Sequence, residues 1–104
     1  MKINSHLNSI LFALENGDST VSLSSELYKS NYLNSNIIID LSHVVFNDFL
    51  NLLKAFSKKH NHKSFVIVSK NIDYDKDDLN LIPTVREAFD FIEMEEIERD
   101  LNLL

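Results

Sequence analysis

Two short, uninterrupted aliphatic runs constrain the fold more than any other feature of this chain. Residues 36–42 (NIIIDLS) place three isoleucines in a row, and residues 64–69 (SFVIVS) repeat the pattern with valine and isoleucine. A strand with one exposed face alternates apolar and polar residues, whereas a strand covered on both faces does not. Both runs therefore predict central strands of a sheet with helices packed on it.

The segments around these runs supply the other elements. Leu23 and Leu27 lie one helical turn apart, and apolar residues recur at helical spacing from Phe49 to Phe56. The order of strands and helices predicts an α/β fold with a mixed, mostly parallel sheet of about five strands, an antiparallel N-terminal edge and three main helices. We expect a single domain over residues 1–104. The predicted strands are Lys2–Asn4, Ser9–Leu14, Asn36–Ser42, Ser64–Ser69 and Leu79–Ile82, and the predicted helices are Ser22–Leu33, Asn47 or Asp48 to His60, and Thr84–Leu101.

Several residues mark the boundaries of these elements. Gly17, the only glycine, lies in a predicted turn between Asn16 and Asp18. Asn47 and Asp48 are both good N-cap residues for the second helix. Pro83 ends the last strand, and Thr84 with Glu87 three residues later predicts a capping box for the last helix.

Two segments resemble a known family. Residues 36–56 (NIIIDLSHVVFNDFLNLLKAF) resemble the central strand, loop and helix of STAS domains, the family of the anti-sigma factor antagonists, and Asp40, Leu41, Ser42 and Asp48 match its motif. Residues 82–101 (IPTVREAFDFIEMEEIERDL) resemble the terminal helix of a subgroup of short bacterial STAS proteins. The resemblance implies a STAS-like fold and a non-enzymatic role in signalling and transcription regulation. The implied partner is a regulatory protein such as an anti-sigma factor or a kinase, bound through Ser42, Asn47, Asp48, Phe49, Leu50 and Asn51.

The chain departs from the family in two places. The family has Ser-Ser-Gly after the motif aspartate, and the serine that is phosphorylated lies there. In this chain Phe49, Leu50 and Asn51 follow Asp48 instead. Because no hydroxyl stands there, the resemblance implies an interaction module without the usual phosphorylation switch. Residues 70–80 are also short for the helix that the family has in this connection, which leaves a single helical turn or an open acidic loop as alternatives.

Chemistry-bearing residues give little support for an enzyme. No cysteine is present, no glycine-rich phosphate loop can form, and no nucleophile, base and acid are suitably spaced, so we predict no catalytic residues and no cofactor. His60 and His62 match half of a metal motif found in hydrolases such as ribonuclease Z, but Ser64 and Phe65 replace its Asp and His. A small metal-dependent hydrolase or nuclease is therefore the alternative function, and we interpret the pair as part of a solvated turn.

Acidic residues at two further places raise the question of a ligand site. Asp73, Asp75, Asp77 and Asp78 lack the glycine and glutamate of a calcium loop, so we predict no metal there. Asp40 ends a central strand, where α/β sheets place ligands, but a carboxylate that caps nearby backbone amides is the favoured interpretation.

Charge and hydropathy address partners and location. The net charge is −6, with +2 on residues 1–72 and −8 on residues 73–104. This charge disfavours nucleic acid as a partner, and the acidic half is either an interaction surface or a solvated helix face. The apolar run Ile10–Leu14 is too short for a signal peptide or a membrane span, so we expect a cytoplasmic protein that does not bind membranes.

The last predicted helix carries two apolar stripes. One stripe consists of Val85, Ala88, Phe89 and Ile92. The other consists of Met94, Ile97, Leu101 and Leu104, and it lies more than about 100° away around the helix axis. We expect the first stripe to lie on the sheet. The second either folds back on an adjacent element or meets a second chain, so Met94, Ile97 and Leu101 are a candidate oligomer interface for a homodimer.

Overall fold

The computed structural model describes residues 1–29, 32, 34–70 and 79–102. Within these ranges the chain forms five strands and three α-helices, so the predicted α/β fold is confirmed. The strands are β1 (Lys2–His6), β2 (Ser9–Ala13), β3 (Asn36–Asp40), β4 (Phe65–Val68) and β5 (Asn80–Ile82), and the helices are α1 (Thr20–Leu27), α2 (Leu50–Lys59) and α3 (Val85–Asp100).

The strands form one sheet in the order β1-β2-β3-β4-β5. Strands β1 and β2 pair antiparallel, with Lys2 opposite Ala13. The other three pairings are parallel: β2 with β3, β3 with β4, and β4 with β5. The mixed sheet and its antiparallel N-terminal edge thus agree with the sequence prediction.

Both faces of the sheet are covered, which explains the uninterrupted aliphatic runs. Ile37 and Ile39 point to the face on which Leu23 and Leu27 of α1 and Leu53 of α2 pack. The opposite face belongs to α3. There Ile38, Val66 and Val68 pack against Ala88 and Ile92, with Val85 and Phe89 partly buried beside them. The first apolar stripe of α3 therefore lies on the sheet, as predicted.

The helix starts agree only in part with the predicted caps. Thr84 caps α3, because its hydroxyl oxygen accepts a bond from the Glu87 backbone N–H at 3.1 Å. The Glu87 carboxylate accepts from the Thr84 hydroxyl at 3.2 Å. The predicted capping by Asn47 or Asp48 is wrong. Residues 46–49 form a 3₁₀ turn, and α2 begins only at Leu50, with Phe49 in the N-cap position and no side-chain cap.

Other boundaries shift by a few residues. Helix α1 begins earlier than predicted, because Ser19 and Ser22 form a reciprocal capping box, and it ends at Leu27 instead of Leu33. Strand β1 extends to His6, and Leu7 makes the tight turn to β2 with a left-handed φ of 55°. Residues 30, 31, 33, 71–78 and 103–104 lie outside the described residues, and with them lie the predicted acidic loop and Leu104.

A buried polar cluster fixes the C-terminal half of α3 on the sheet. Asn36, at the start of β3, is fully buried. Its Nδ2 donates to Oε1 of Glu96 at 2.5 Å, and its Oδ1 accepts from the backbone N–H of Ser64 at 2.9 Å and from Nη2 of Arg99 at 3.1 Å. The Ser64 hydroxyl donates to Oε1 of Glu95 at 2.6 Å and accepts from Nη1 of Arg99 at 3.0 Å. We call these five residues the Asn36 cluster.

Charge further stabilises this cluster. The amide of Asn36, followed by the positive charges of Lys63 and Arg99, holds the pKa of Glu96 below its usual range although partial burial opposes it. The Nη2 atom of Arg99 lies 3.3 Å from Oε1 of Glu96. Among the described residues, no buried side-chain nitrogen or oxygen lacks a hydrogen-bond partner. A satisfied network of this kind fixes one orientation of the helix.

We predict that Asn36→Ala lowers the free energy of unfolding by about 1–3 kcal/mol, because it leaves the buried Ser64 N–H without its partner. Urea unfolding followed by circular dichroism measures the change. The exposed Asn61 offers a matched control, and Asn61→Ala should stay within about 0.5 kcal/mol of the wild type. Equal stability of the two variants would show that the Asn36 cluster does not hold α3.

Candidate functional site

The loops that follow β2 and β3 meet at one edge of the sheet. Parallel neighbouring strands bring their carboxyl ends together, and α/β proteins place binding sites there. These loops enclose a shallow depression of about 430 Å³. Its lining residues are Asn16, Gly17, Asp18, Ser42, His43, Val44, Val45, Asp48 and Phe49.

Asp40 organises the base of this edge. Its Oδ1 accepts bonds from the backbone N–H of Ser42 at 3.0 Å and from the Ser42 hydroxyl at 2.5 Å. Such a bond to the backbone two residues ahead is typical of an Asx turn. The favoured interpretation of Asp40 as a backbone cap is therefore confirmed, and the carboxylate sets the direction in which the β3–α2 loop leaves the sheet.

The predicted partner-binding residues lie along this loop but differ in exposure. Ser42, Asn47, Asp48 and Asn51 are exposed. Phe49 is buried in the core and offers little side-chain surface, so its contact with a partner stays a prediction. Leu50 is half-buried and packs against the core beneath the loop. The 3₁₀ turn is the reason, because it turns Phe46 and Phe49 inward together.

A second depression adjoins the first. It lies between α1 and the start of α2, has a volume of about 770 Å³ and shares Asp48 with its neighbour. Val21 on α1, 74% exposed, and the half-exposed Tyr28 line it, and Val45, 62% exposed, lines the first depression. Sequence reasoning missed Val21 and Val45. The sequence feature that could have identified them is that neither valine fits the spacing of the apolar residues that pack on the sheet.

His60 and His62 have different environments. His60 is buried, and its Nε2 lies 2.8 Å from the Ser35 carbonyl oxygen; because a carbonyl only accepts, this nitrogen carries the proton. The ring stacks on Phe56, with centroids 5.3 Å apart. His62 is exposed. The interpretation of the pair as a solvated turn is therefore correct for His62 and wrong for His60, which caps the core.

The two histidines have no third metal-binding side chain beside them among the described residues. Their ring centroids lie 5.4 Å apart. In the part of the chain that the structure describes, no three His, Cys, Asp or Glu side chains converge as a metal site requires. The Nε2 atom of His60 is also engaged by Ser35 and could bind a metal only by breaking that bond.

No family model matches the chain, and no curated protein matches it. In the described ranges, no helix combines the length and the apolar composition needed to cross a membrane. The case for a function therefore depends on the surfaces of the molecule and on the residues that resemble the STAS motif.

We predict that His60 makes the protein less stable as the pH is lowered. Burial, followed by the charge of His62, lowers the pKa of His60, and the bond to Ser35 opposes this only in part. As the pH drops through the ordinary histidine pKa of about 6.5, the unfolded chain takes up a proton that the native chain resists. The free energy of unfolding should therefore decrease from about pH 7.5 to about pH 5.5.

Unfolding curves of His60→Gln and His43→Gln test this origin. The glutamine side chain in the first variant keeps a donor for the Ser35 carbonyl but does not titrate, so the pH slope should shrink. The exposed His43 serves as the control, and its replacement should leave the slope unchanged. An undiminished slope in His60→Gln would contradict the assignment.

Proposed function

We propose that this chain is a non-enzymatic STAS-like interaction module, which binds a regulatory protein such as an anti-sigma factor or a kinase in the cytoplasm. The binding surface is the edge formed by the β2–α1 and β3–α2 loops. We call it the loop surface and define it by Val21, Ser42, Val45, Asp48 and Asn51.

The observation that carries this proposal is the exposure of Val21 and Val45 on either side of Asp48. Exposed apolar anchors within a polar rim are the usual anatomy of a protein interface. The two adjoining depressions, of about 430 and 770 Å³, are shallow and lie side by side along the surface. This shape suits a protein partner better than it suits a small molecule, which usually binds in an enclosed cleft.

The STAS resemblance supports the same surface. The matching residues Asp40, Leu41, Ser42 and Asp48 form the base and rim of the loop surface. Leu41 is buried below the loop and the Asp40 carboxylate orients Ser42. The motif therefore builds the loop, while the exposed residues around it are free to differ with the partner.

Regulation would differ from that of the family. The positions after Asp48 hold a buried Phe49, a half-buried Leu50 and the amide of Asn51. None of these three side chains accepts a phosphate, and a phosphate would add about two negative charges where the family changes its affinity. We therefore propose constitutive binding at the loop surface.

The test compares two variants in the native cell. Val21→Glu with Val45→Glu should abolish recovery of the proteins that co-purify with the wild-type chain, as measured by quantitative mass spectrometry, because each places a charge in the proposed interface. Leu7→Glu also replaces an exposed apolar residue, but in the β1–β2 turn, and it should leave recovery unchanged.

Thermal melts establish that both variants are folded. If the Val21 and Val45 variant recovers the same proteins as the wild type in the same amounts, the loop surface is not the partner site. If the wild type recovers nothing above a bait-free control, the proposed function itself is wrong.

A further inference from the structure

Helix α3 and its C-cap residue, Leu101, expose apolar side chains over the last two turns. Met94, Ile97 and Leu101 are 58%, 51% and 62% exposed. All three side chains are exposed, so the alternative in which this stripe folds back and is buried on an adjacent element is wrong for these three residues. We call them the outer stripe.

The Asn36 cluster explains why the outer stripe faces outward. At about 100° per residue, Glu95, Glu96 and Arg99 continue the direction of Ala88 and Ile92 along the helix. These three polar residues bond to Asn36 at the start of β3 and to Ser64 just before β4. The side of α3 that faces the sheet is therefore apolar in its first half and polar in its second half. The remaining apolar residues of the second half lie on the opposite side of the helix, away from the sheet.

The spacing of the outer stripe is that of a coiled-coil seam. Met94, Ile97 and Leu101 stand at i, i+3 and i+7, which are successive a, d and a positions of a heptad. The e and g positions beside such a seam select the partner by charge. Here Glu98 occupies an e position, and Glu93 and Asp100 occupy g positions. All three flanking positions are therefore acidic.

This charge pattern distinguishes between occupants. Two copies of α3 would place acidic residues opposite acidic residues in either orientation, and like charges at these positions oppose pairing. A helix with Lys or Arg at its own e and g positions would instead form complementary pairs. We propose that the outer stripe binds an amphipathic helix of another protein, apolar on one side and basic along its flanks.

The surface continues beyond the seam. Toward its N-terminal end, Met94 also lines a groove of about 450 Å³ beside the end of β5, together with Phe91, Ile82 and Pro83. Glu87 and Asp90 stand in the same lining. The apolar surface and its acidic rim thus extend for a further turn, enough for a partner helix longer than the outer stripe.

The proposal goes beyond the proposed function, because α3 packs on the sheet face opposite α1 and α2. A chain with both surfaces could hold two partners at once. Variants of the outer stripe leave Val21 and Val45 intact, so the failure of either proposal can be recognised separately.

The experiment uses a synthetic helical peptide of about three heptads, with Leu at a and d and Lys at e and g, and a matched peptide with Glu in place of Lys. Fluorescence anisotropy on the full chain should show binding of the Lys peptide only. Ile97→Glu with Leu101→Glu should weaken binding at least about tenfold, even though it makes the protein more negative and would favour a purely electrostatic attachment.

A second pair of variants isolates the charges. Glu93→Gln with Glu98→Gln should weaken binding several-fold, whereas Glu15→Gln with Glu26→Gln removes the same charge outside both proposed surfaces and should not. Equal effects of the two pairs, or equal binding of both peptides, would overturn the proposal. It is also overturned if the Ile97 and Leu101 variant unfolds, which makes the stripe part of the core, or if sedimentation shows a wild-type dimer that this variant dissociates.

Discussion

The hydrogen bonds of one buried amide determine which face of the last helix lies on the sheet and which face is exposed. Asn36 opens the central strand β3 and is fully buried, so each of its polar atoms requires a partner. It finds them in Glu96 and Arg99 of α3 and in the backbone of Ser64. An unpartnered amide at this depth costs about 1–3 kcal/mol, and the bonds fix the rotation of α3 about its own axis. That rotation decides which residues of the last helix remain outside.

The two candidate surfaces arise from opposite sides of the sheet. On one side, Asp40 and the 3₁₀ turn direct the β3–α2 loop so that Val45 is exposed while Phe49 enters the core. On the other side, the Asn36 cluster leaves Met94, Ile97 and Leu101 in solvent with acidic neighbours. Both surfaces combine apolar anchors with a polar or charged rim, which suits protein recognition.

Much of the fold could be predicted from local patterns. The isoleucine run predicts a strand covered on both faces. Thr84 predicts the start of α3, and Pro83 predicts the end of β5. Each of these signals depends on only a few neighbouring residues. The Asn36 cluster could not be found in this way, since Asn36 and Glu96 are 60 positions apart. A run of acids such as EMEEIERD indicates a solvated face unless the polar partners across the sheet are known.

The candidate site shows the same division. Ser42 and Asp48 could be placed from their match to the motif. The inward turn of Phe49 could not, because it depends on a 3₁₀ segment that the N-cap preferences of Asn47 and Asp48 do not predict. His60 is buried because its ring stacks on Phe56 and its Nε2 bonds to the carbonyl oxygen of Ser35, which lies 25 residues away in the sequence. Tertiary contacts thus override local polarity at both places.

The polar side of α3 is held on the sheet by the hydrogen bonds of the Asn36 cluster. Amide hydrogen exchange resolved by residue tests this directly, because a helix end held only by local bonds frays while one held by a buried network opens with the whole fold. The amides of Glu95, Glu96 and Arg99 should exchange as slowly as those of Ile38 and Val66 in the central strands. Fast exchange beyond Ile92, with slow strands, would contradict the account.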